Sequence, residues 1–173
     1  GDRGLFPDVD SAVAAALEAH YEWREVKVST REDCIGAIRR WVNDNAEMLA
    51  RRAVEETGLG RVDHKIIKNK LAANKTQGTE ALLPQVLTGD DGMTLIERAS
   101  FGVIASITPC TNATETLTNN GIAMMASGNT VVFNVHPLAK TIAGETIQAF
   151  NDCIVGAGGP PNVLTAIMPP TID

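Results

Sequence analysis

Cysteine is scarce in this chain: only Cys34, Cys110 and Cys153 occur, and no two of them form a CxxC pair. An odd, widely spaced set is a poor disulfide framework. A reducing, cytoplasmic setting is therefore expected. No His/Cys/Asp/Glu grouping has the spacing of a metal site, so no metal is expected. Long apolar runs are missing too. None approaches the ~20 residues that a membrane span needs, and the N-terminus lacks the charged-then-apolar order of a secretory signal. The chain opens Gly1-Asp2-Arg3-Gly4 without a Met, so a targeting peptide further upstream would be invisible. Positive charge is in deficit, with 15 Lys and Arg against 21 Asp and Glu and a net charge of -6. That balance disfavours nucleic acid and anionic membrane as partners. Arg61, Lys65, Lys68, Lys70 and Lys75 do cluster, but they are spread around one predicted helix and read as a solvated face. Finally, there is no GxGxxG fingerprint and no GxxxxGK[ST] loop. Gly156-Ala157-Gly158-Gly159 follows a helix rather than a strand and reads as a cap and turn, not a phosphate cradle.

What is present is an ordinary globular composition, 44% apolar and 21% charged, in a chain long enough to bury one core. Residues 12–24 are Ala-rich, with Val13, Ala16, Leu17, Ala19 and His20 at helical spacing. Ser29 followed by Glu32 reads as a capping box. The long helix it opens carries Ile35, Ile38, Val42, Leu49 and Ala53 on one face and stops at Gly58 and Gly60. A further helix over 62–74 presents Val62, Ile66, Ile67 and Leu71. Residues 86–98, with Gly89-Asp90-Asp91-Gly92 in the middle, predict a hairpin.

Beyond the hairpin the pattern alternates. Strands are predicted near 102–107, 130–133 and 163–167, the first buried on both faces, with helices over 114–127 and 137–153 between them. Such crossovers are right-handed and build a parallel sheet covered by helices. Ligands bind these sheets outside the carboxyl ends of the strands. Residues 108–112 and 134–137 are thereby singled out as the candidate site.

Those two loops also carry a resemblance. The run from Phe101 through Thr108-Pro109-Cys110-Thr111-Asn112 to Thr116 resembles the first cofactor strand and following helix of coenzyme A-acylating aldehyde dehydrogenases. The run from Ala123 through Val131-Val132-Phe133-Asn134-Val135-His136-Pro137 is similar to that family's second block. Glu56-Thr57-Gly58-Leu59-Gly60 with Lys65, Lys68 and Asn69 fits its N-terminal helices. Ala113 and Val135 stand where Pro is usual in that pattern. The propionaldehyde and acetaldehyde dehydrogenases of bacterial microcompartments are the most similar branch.

The resemblance implies an α/β, aldehyde dehydrogenase-like fold: a parallel Rossmann-like sheet with an N-terminal helical layer and a protruding hairpin, truncated in this chain. Residues 1–85 would be the helical part of the cofactor-binding domain, 86–98 the hairpin of the oligomerisation region, and 99–173 the first half of the Rossmann-like sheet. It also implies NAD as cofactor, with NADP as the alternative, and coenzyme A and a small aldehyde as substrates. The parent would be a homo-oligomer, cytoplasmic or enclosed in a microcompartment. Asn112 matches the family Asn whose amide holds the substrate oxygen, although Asn is also a good helix N-cap. Thr108 and Pro109 match the loop against the cofactor. Asn134 and Pro137 stand where hydrolytic relatives carry a Lys and an acid at the adenosine ribose. His136 reads as a polar loop residue near the pyrophosphate.

Cys110 precedes a predicted helix N-terminus, which favours a thiolate. The resemblance nevertheless puts the nucleophile in a second domain beyond Asp173, and Cys34 and Cys153 read as core. On that view the fragment alone would be inactive. Two other readings stand beside it: a non-catalytic nucleotide-binding or assembly module, and a semialdehyde or acyl-phosphate reductase of the same fold.

Overall fold

In the computed structural model, residues 3–171 are described. Among these residues there are five α-helices and six strands, all but β1 in the predicted order: β1 (Leu5–Phe6), α1 (Val9–Trp23), α2 (Val28–Thr57), α3 (Val62–Lys75), β2 (Gln85–Gly89), β3 (Gly92–Ile96), β4 (Val103–Ile107), α4 (Ala113–Ala126), β5 (Thr130–Asn134), α5 (Lys140–Gly156) and β6 (Leu164–Ile167). Strands β4, β5 and β6 are parallel, and the sheet runs β1-β6-β5-β4. The two-residue β1 pairs with β6, Leu5 opposite Ala166, and was not foreseen. Two residues are too few to show any period.

Side chains on the sheet alternate as a pleat requires. Val131, Phe133, Leu164 and Ala166 face the larger core with residues of α2, α4 and α5. Val132 faces the smaller core with Phe6, Ala12 and Ala16. On that second face two threonines bind α1 directly: Thr130 Oγ1 donates to the Ala16 carbonyl at 2.8 Å and Thr165 Oγ1 to the Ala12 carbonyl at 3.4 Å. Alanine at these helical positions lets the backbone come that close. Accordingly Ala12, Ala16 and Ala19 are buried, whereas Val13 and Leu17, expected inside, are exposed.

Other expectations are also corrected. Strand β4 is not buried on both faces; it is an edge strand, with Ala105 exposed and Ile107 81% exposed. Helix α2 begins one residue before Ser29, at Val28, with Lys27 at the cap position and no side-chain cap bond, so the Ser29/Glu32 capping box is not formed. The predicted core face of α2 holds: Ile35, Ile38, Val42, Leu49 and Ala53 are all buried. Gly58 ends the helix at φ +69°, its N–H bonded to the Val54 carbonyl, a conformation glycine adopts without a Cβ penalty. In α3 the expected face is wrong. Ile67 and Leu71 are exposed, and the buried residues are Lys65, Asn69 and Ala73. That side of α3 packs mainly on α2 and draws Lys65 inward to the turn entering α4, where polar main chain needs donors.

The hairpin is antiparallel, Gly89 opposite Gly92, with Asp90 and Asp91 in the turn. All ten of its strand residues are exposed, Leu87, Met93 and Leu95 among them.

The core is closed tightly after α5. A Cβ placed on Gly159 would lie 2.6 Å from Ile154 Cγ2 and 3.1 Å from both Cys34 Sγ and Trp23 Cζ3. Trp23 is fully buried, its indole donating to the Met125 carbonyl at 2.9 Å. Gly159→Ala should therefore destabilise the fold by about 1–3 kcal/mol through overpacking, read as a lower urea midpoint at unchanged slope.

Candidate functional site

The carboxyl ends of β4 and β5 lie side by side because the strands are parallel and in register, Ile107 opposite Asn134. The ladder extends one step further: the Thr108 N–H donates to the Asn134 carbonyl at 3.1 Å. Thr108 is buried, and its Oγ1 has no hydrogen-bond partner. The Asn134 side chain donates from Nδ2 to the Thr171 carbonyl at 3.3 Å, while its Oδ1 is buried without a partner. Two unspent polar atoms thus stand at the end of adjacent strands.

The segment after β5 is fixed by its own residues. His136 Nδ1 accepts from the Leu138 N–H at 3.1 Å and starts the 3-10 turn Pro137–Ala139. Pro137 occupies the first turn, where its missing N–H costs nothing. The next helix, α5, is capped from a distance. Both oxygens of Glu56, in the last turn of α2, accept from it, Oε1 from Thr141 N–H at 2.7 Å and Oε2 from Ile142 N–H at 2.8 Å. A carboxylate there is favoured by the helix dipole as well.

The segment after β4 is gripped by α3. Lys65 is 2% exposed, and its Nζ donates to the Thr111 carbonyl at 2.7 Å. Its charge faces Glu115, 3.8 Å away, in the first turn of α4. Glu115 is itself buried and accepts from Thr114 Oγ1 at 3.2 Å. Gly60 makes room: a Cβ there would meet Lys65 Cε at 3.0 Å, and its φ of +84° disfavours a side chain regardless. One turn on, Lys68 Nζ donates to Asn112 Oδ1 at 3.2 Å. The basic stretch is therefore not simply a solvated face, since Lys65 is interior and Lys68 points at Asn112.

Asn112 occupies the N-cap position of α4 but makes no side-chain capping bond. Its amide is not consumed by the helix, and among the described residues its Nδ2 donates to nothing. A groove of about 430 Å³ opens beside it between α3 and α4, with Lys68, Leu71, Lys75, Glu115 and Asn119 in its walls.

The thiols differ in setting. Burial pushes the Cys34 thiol up to about 11, and Cys34 Sγ lies 3.5 Å from the Ile154 carbonyl. Burial raises the Cys153 thiol as well. Cys110 is half-buried in the loop between β4 and α4.

The structure thus brings Thr108 and Asn134 together at the strand ends and Asn112 to the mouth of α4, with His136 and Pro137 in the adjoining turn. Pro109 is exposed in the same loop as Thr108. Lys65, Glu115 and Glu56 were not foreseen as parts of this region. A Lys-x-x-x-Asn spacing on a helix, with both residues on one face, was the available signal for the first.

A parallel sheet covered by helices, with polar atoms at its carboxyl edge, defines an α/β protein. The model of the aldehyde dehydrogenase family matches residues 5–172, and the chain belongs to that family. It is 47% identical over 172 residues to acetaldehyde dehydrogenase (acetylating) EutE of Salmonella typhimurium, covering 99% of this chain and 36% of that protein. It superposes with a TM-score of 0.95 at 47% identity on a propionaldehyde dehydrogenase from the Clostridium phytofermentans fucose utilisation bacterial microcompartment, covering 98% of this chain and 39% of the other. Against a Rhodopseudomonas palustris propionaldehyde dehydrogenase with bound CoA and an acylated cysteine, the TM-score is 0.96 at 40% identity, with 99% and 40% covered. The chain thus spans little more than a third of the length of the relatives it matches.

Because thiolates are the reactive form, an alkylating agent at neutral pH should modify Cys110 well before Cys34, which should react only on unfolding. Peptide mapping after graded exposure measures the order, and early labelling of Cys34 would contradict its burial.

Proposed function

We propose that the full-length protein carrying this sequence is a coenzyme A-acylating aldehyde dehydrogenase. It converts a short-chain aldehyde, NAD and coenzyme A to acyl-coenzyme A, NADH and a proton. The residues described here form the leading part of its cofactor-binding domain, and on their own they do not turn over aldehyde. Bound NAD supplies the hydride acceptor.

The observation that carries the reading is the Asn112 amide nitrogen at the entrance to α4, which donates to no other described residue. In the proposed reaction a thiolate adds to the aldehyde carbon and the carbonyl oxygen becomes an oxyanion. A preorganised donor aimed at that oxygen stabilises the charge as it develops. Asn112 Nδ2 is such a donor, and the N-terminus of α4 adds aligned N–H dipoles. Collapse of the adduct restores the carbonyl as the hydride leaves. The thiol of coenzyme A then attacks the resulting thioester, and the enzyme thiol departs as the leaving group. That enzyme thiol belongs to the part of the parent corresponding to the relatives' remaining length, in keeping with the acylated cysteine of the Rhodopseudomonas palustris enzyme.

Thr108, Pro109, Asn134, His136 and Pro137 line the cofactor side. The unpartnered Thr108 Oγ1 and Asn134 Oδ1 fit a polar ligand laid across the ends of β4 and β5. Asn134 and Pro137 are uncharged, so neither discriminates strongly at the ribose 2′ position, and NAD is preferred only modestly over NADP. The exposed apolar hairpin β2–β3 suits burial against another subunit. Among the described residues no helix is long and apolar enough to cross a membrane. The cytoplasm, or the lumen of a microcompartment, is the proposed location.

Two variants of the full-length protein test the roles side by side in acyl-coenzyme A formation. Asn112→Ala should lower turnover on the order of 10²–10³-fold, as loss of one oxyanion donor does. Cys110→Ser should keep most of the activity, because helix proximity alone does not place a thiolate within ~3–3.5 Å of the aldehyde carbon. Loss of activity in folded Cys110→Ser would reverse the assignment. Asn134→Lys should change NAD affinity and the NAD/NADP ratio in calorimetry; no change in either would remove Asn134 from the ribose.

A further inference from the structure

An amide is two-faced: one end only accepts hydrogen bonds and the other only donates them. An oxyanion donor is useful only if the NH₂ end faces the substrate oxygen. Asn112 sits in an irregular backbone conformation, φ -135° and ψ 50°, and is not tied to its own helix by a capping bond. Its orientation must be set by something else.

That something is Lys68. Its Nζ lies 3.2 Å from Asn112 Oδ1. An ammonium carries donors alone, so it can engage only the oxygen of the amide, and the NH₂ end is turned away from it. Lys65, one turn earlier on α3, holds the main chain of the neighbouring residue through the Thr111 carbonyl at 2.7 Å. Two ammonium groups on one helix face therefore grip consecutive residues, one by its backbone and one by its side chain. Their charges are spent differently. Lys65 is buried and faces Glu115 at 3.8 Å, whereas Lys68, among the described residues, is in no ion pair. The uncompensated charge is the one that touches Asn112.

We propose that Lys68 is a positioning residue for the reaction: its ammonium holds Asn112 Oδ1 so that Nδ2 is presented to the substrate oxygen. A charge-assisted bond of this kind is stronger than a neutral one. The same positive charge polarises the amide and strengthens Nδ2 as a donor. Lys68 itself need not touch substrate, cofactor or the reacting atoms. This inference rests on the oxyanion role of Asn112 given above.

The test uses the full-length protein with Lys68→Met, Lys68→Arg, Asn112→Ala and the double variant Lys68→Met/Asn112→Ala, assayed for acyl-coenzyme A formation over a range of aldehyde concentrations. Lys68 is exposed on α3, so its substitution should leave the fold intact. Lys68→Met should lower kcat about 10- to 100-fold, the scale of a small misplacement of a catalytic group, with KM for the aldehyde nearly unchanged. Lys68→Arg should restore most of that loss. The double variant should be no slower than Asn112→Ala, because Lys68 acts only through the amide. If Lys68→Met slows the Asn112→Ala background by its full factor, or leaves the otherwise unaltered enzyme at full speed, the positioning role is wrong. Full turnover by Asn112→Ala would instead overturn the oxyanion reading, and the Lys68 role with it. A slow Asn112→Ala beside an unimpaired Lys68→Met would overturn the Lys68 role alone.

Discussion

The buried ammonium of Lys65 is the constraint around which the candidate site is arranged. Removing a charge from water is expensive unless it is paired and hydrogen-bonded. Lys65 meets that cost with a carbonyl from the β4–α4 loop and a carboxylate from the first turn of α4. Each partner belongs to a segment that must be in place before the charge can be buried. The pair therefore reports, and enforces, the docking of α3 onto the entrance of α4. Its geometry reaches further back still, because the stem of Lys65 lies against Gly60, where a side chain would intrude. The loop between α2 and α3, the face of α3 and the turn holding Asn112 form one mutually dependent unit.

A second dependence runs through the sheet. Thr130 and Thr165 bond to carbonyls of α1, which fixes the distance of that helix from β5 and β6. The opposite face is filled by α2, α4 and α5 around Phe133, Leu164 and Phe150. With both faces occupied, β5 and β6 cannot shift in register without moving their side chains to the wrong face, and β4 is held to β5 by its ladder, Val103 opposite Thr130 through Ile107 opposite Asn134. The ends of these strands inherit that rigidity, and Thr108 and Asn134 stand on them. Precision at Thr108 and Asn134 is thus a property of the sheet, while Asn112 is placed by α3 through the β4–α4 loop.

Much of this was legible in the sequence. The alternation of apolar strands and helices after residue 100 fixed a parallel sheet, and hence the two loops worth inspecting. The long helix showed its buried face at helical spacing, and Gly58 marked its end. What the pattern could not show was which surface each element would meet. Ile67 and Leu71 have the spacing of a core face but lie outside, because α3 turns Lys65, Asn69 and Ala73 inward instead. Hydrophobic period marks the apolar stripe of a helix, but here α3 packs mainly against α2 through Asn69 and Ala73 and draws Lys65 inward to the Thr111 carbonyl. In the same way β4 has a buried strand's composition but lies at the edge of the sheet that this chain, little more than a third of its relatives' length, builds. Composition records that a strand is apolar, not whether a partner covers it. For the site, the roles proposed for Asn112 and Asn134 came from resemblance. The Lys65–Glu115 pair spans about 50 positions of sequence, a separation that no local pattern bridges.

The two helices that begin at the carboxyl edge of the sheet are treated in opposite ways. The N-terminus of α5 is occupied: Glu56 places both carboxylate oxygens on its first N–H groups. Its positive end is neutralised, and an anion approaching it would meet a negative charge. The N-terminus of α4 is different. Its N-cap side chain makes no capping bond, and the Glu115 carboxylate in its first turn is matched by Lys65. What is left over at α4 is a donor amide, the dipole of the helix and the unpaired charge of Lys68. Both helix ends would otherwise offer similar attraction to negative charge. With one end closed and the other open, the proposed oxyanion would be favoured at Asn112 over the segment that follows β5. On the proposed function, the uncharged, polar surface beside Asn134 and the electropositive one beside Asn112 would serve separate ends at adjacent strand termini. That separation is what a reaction needs when it must hold a cofactor at one place and stabilise an oxyanion at another.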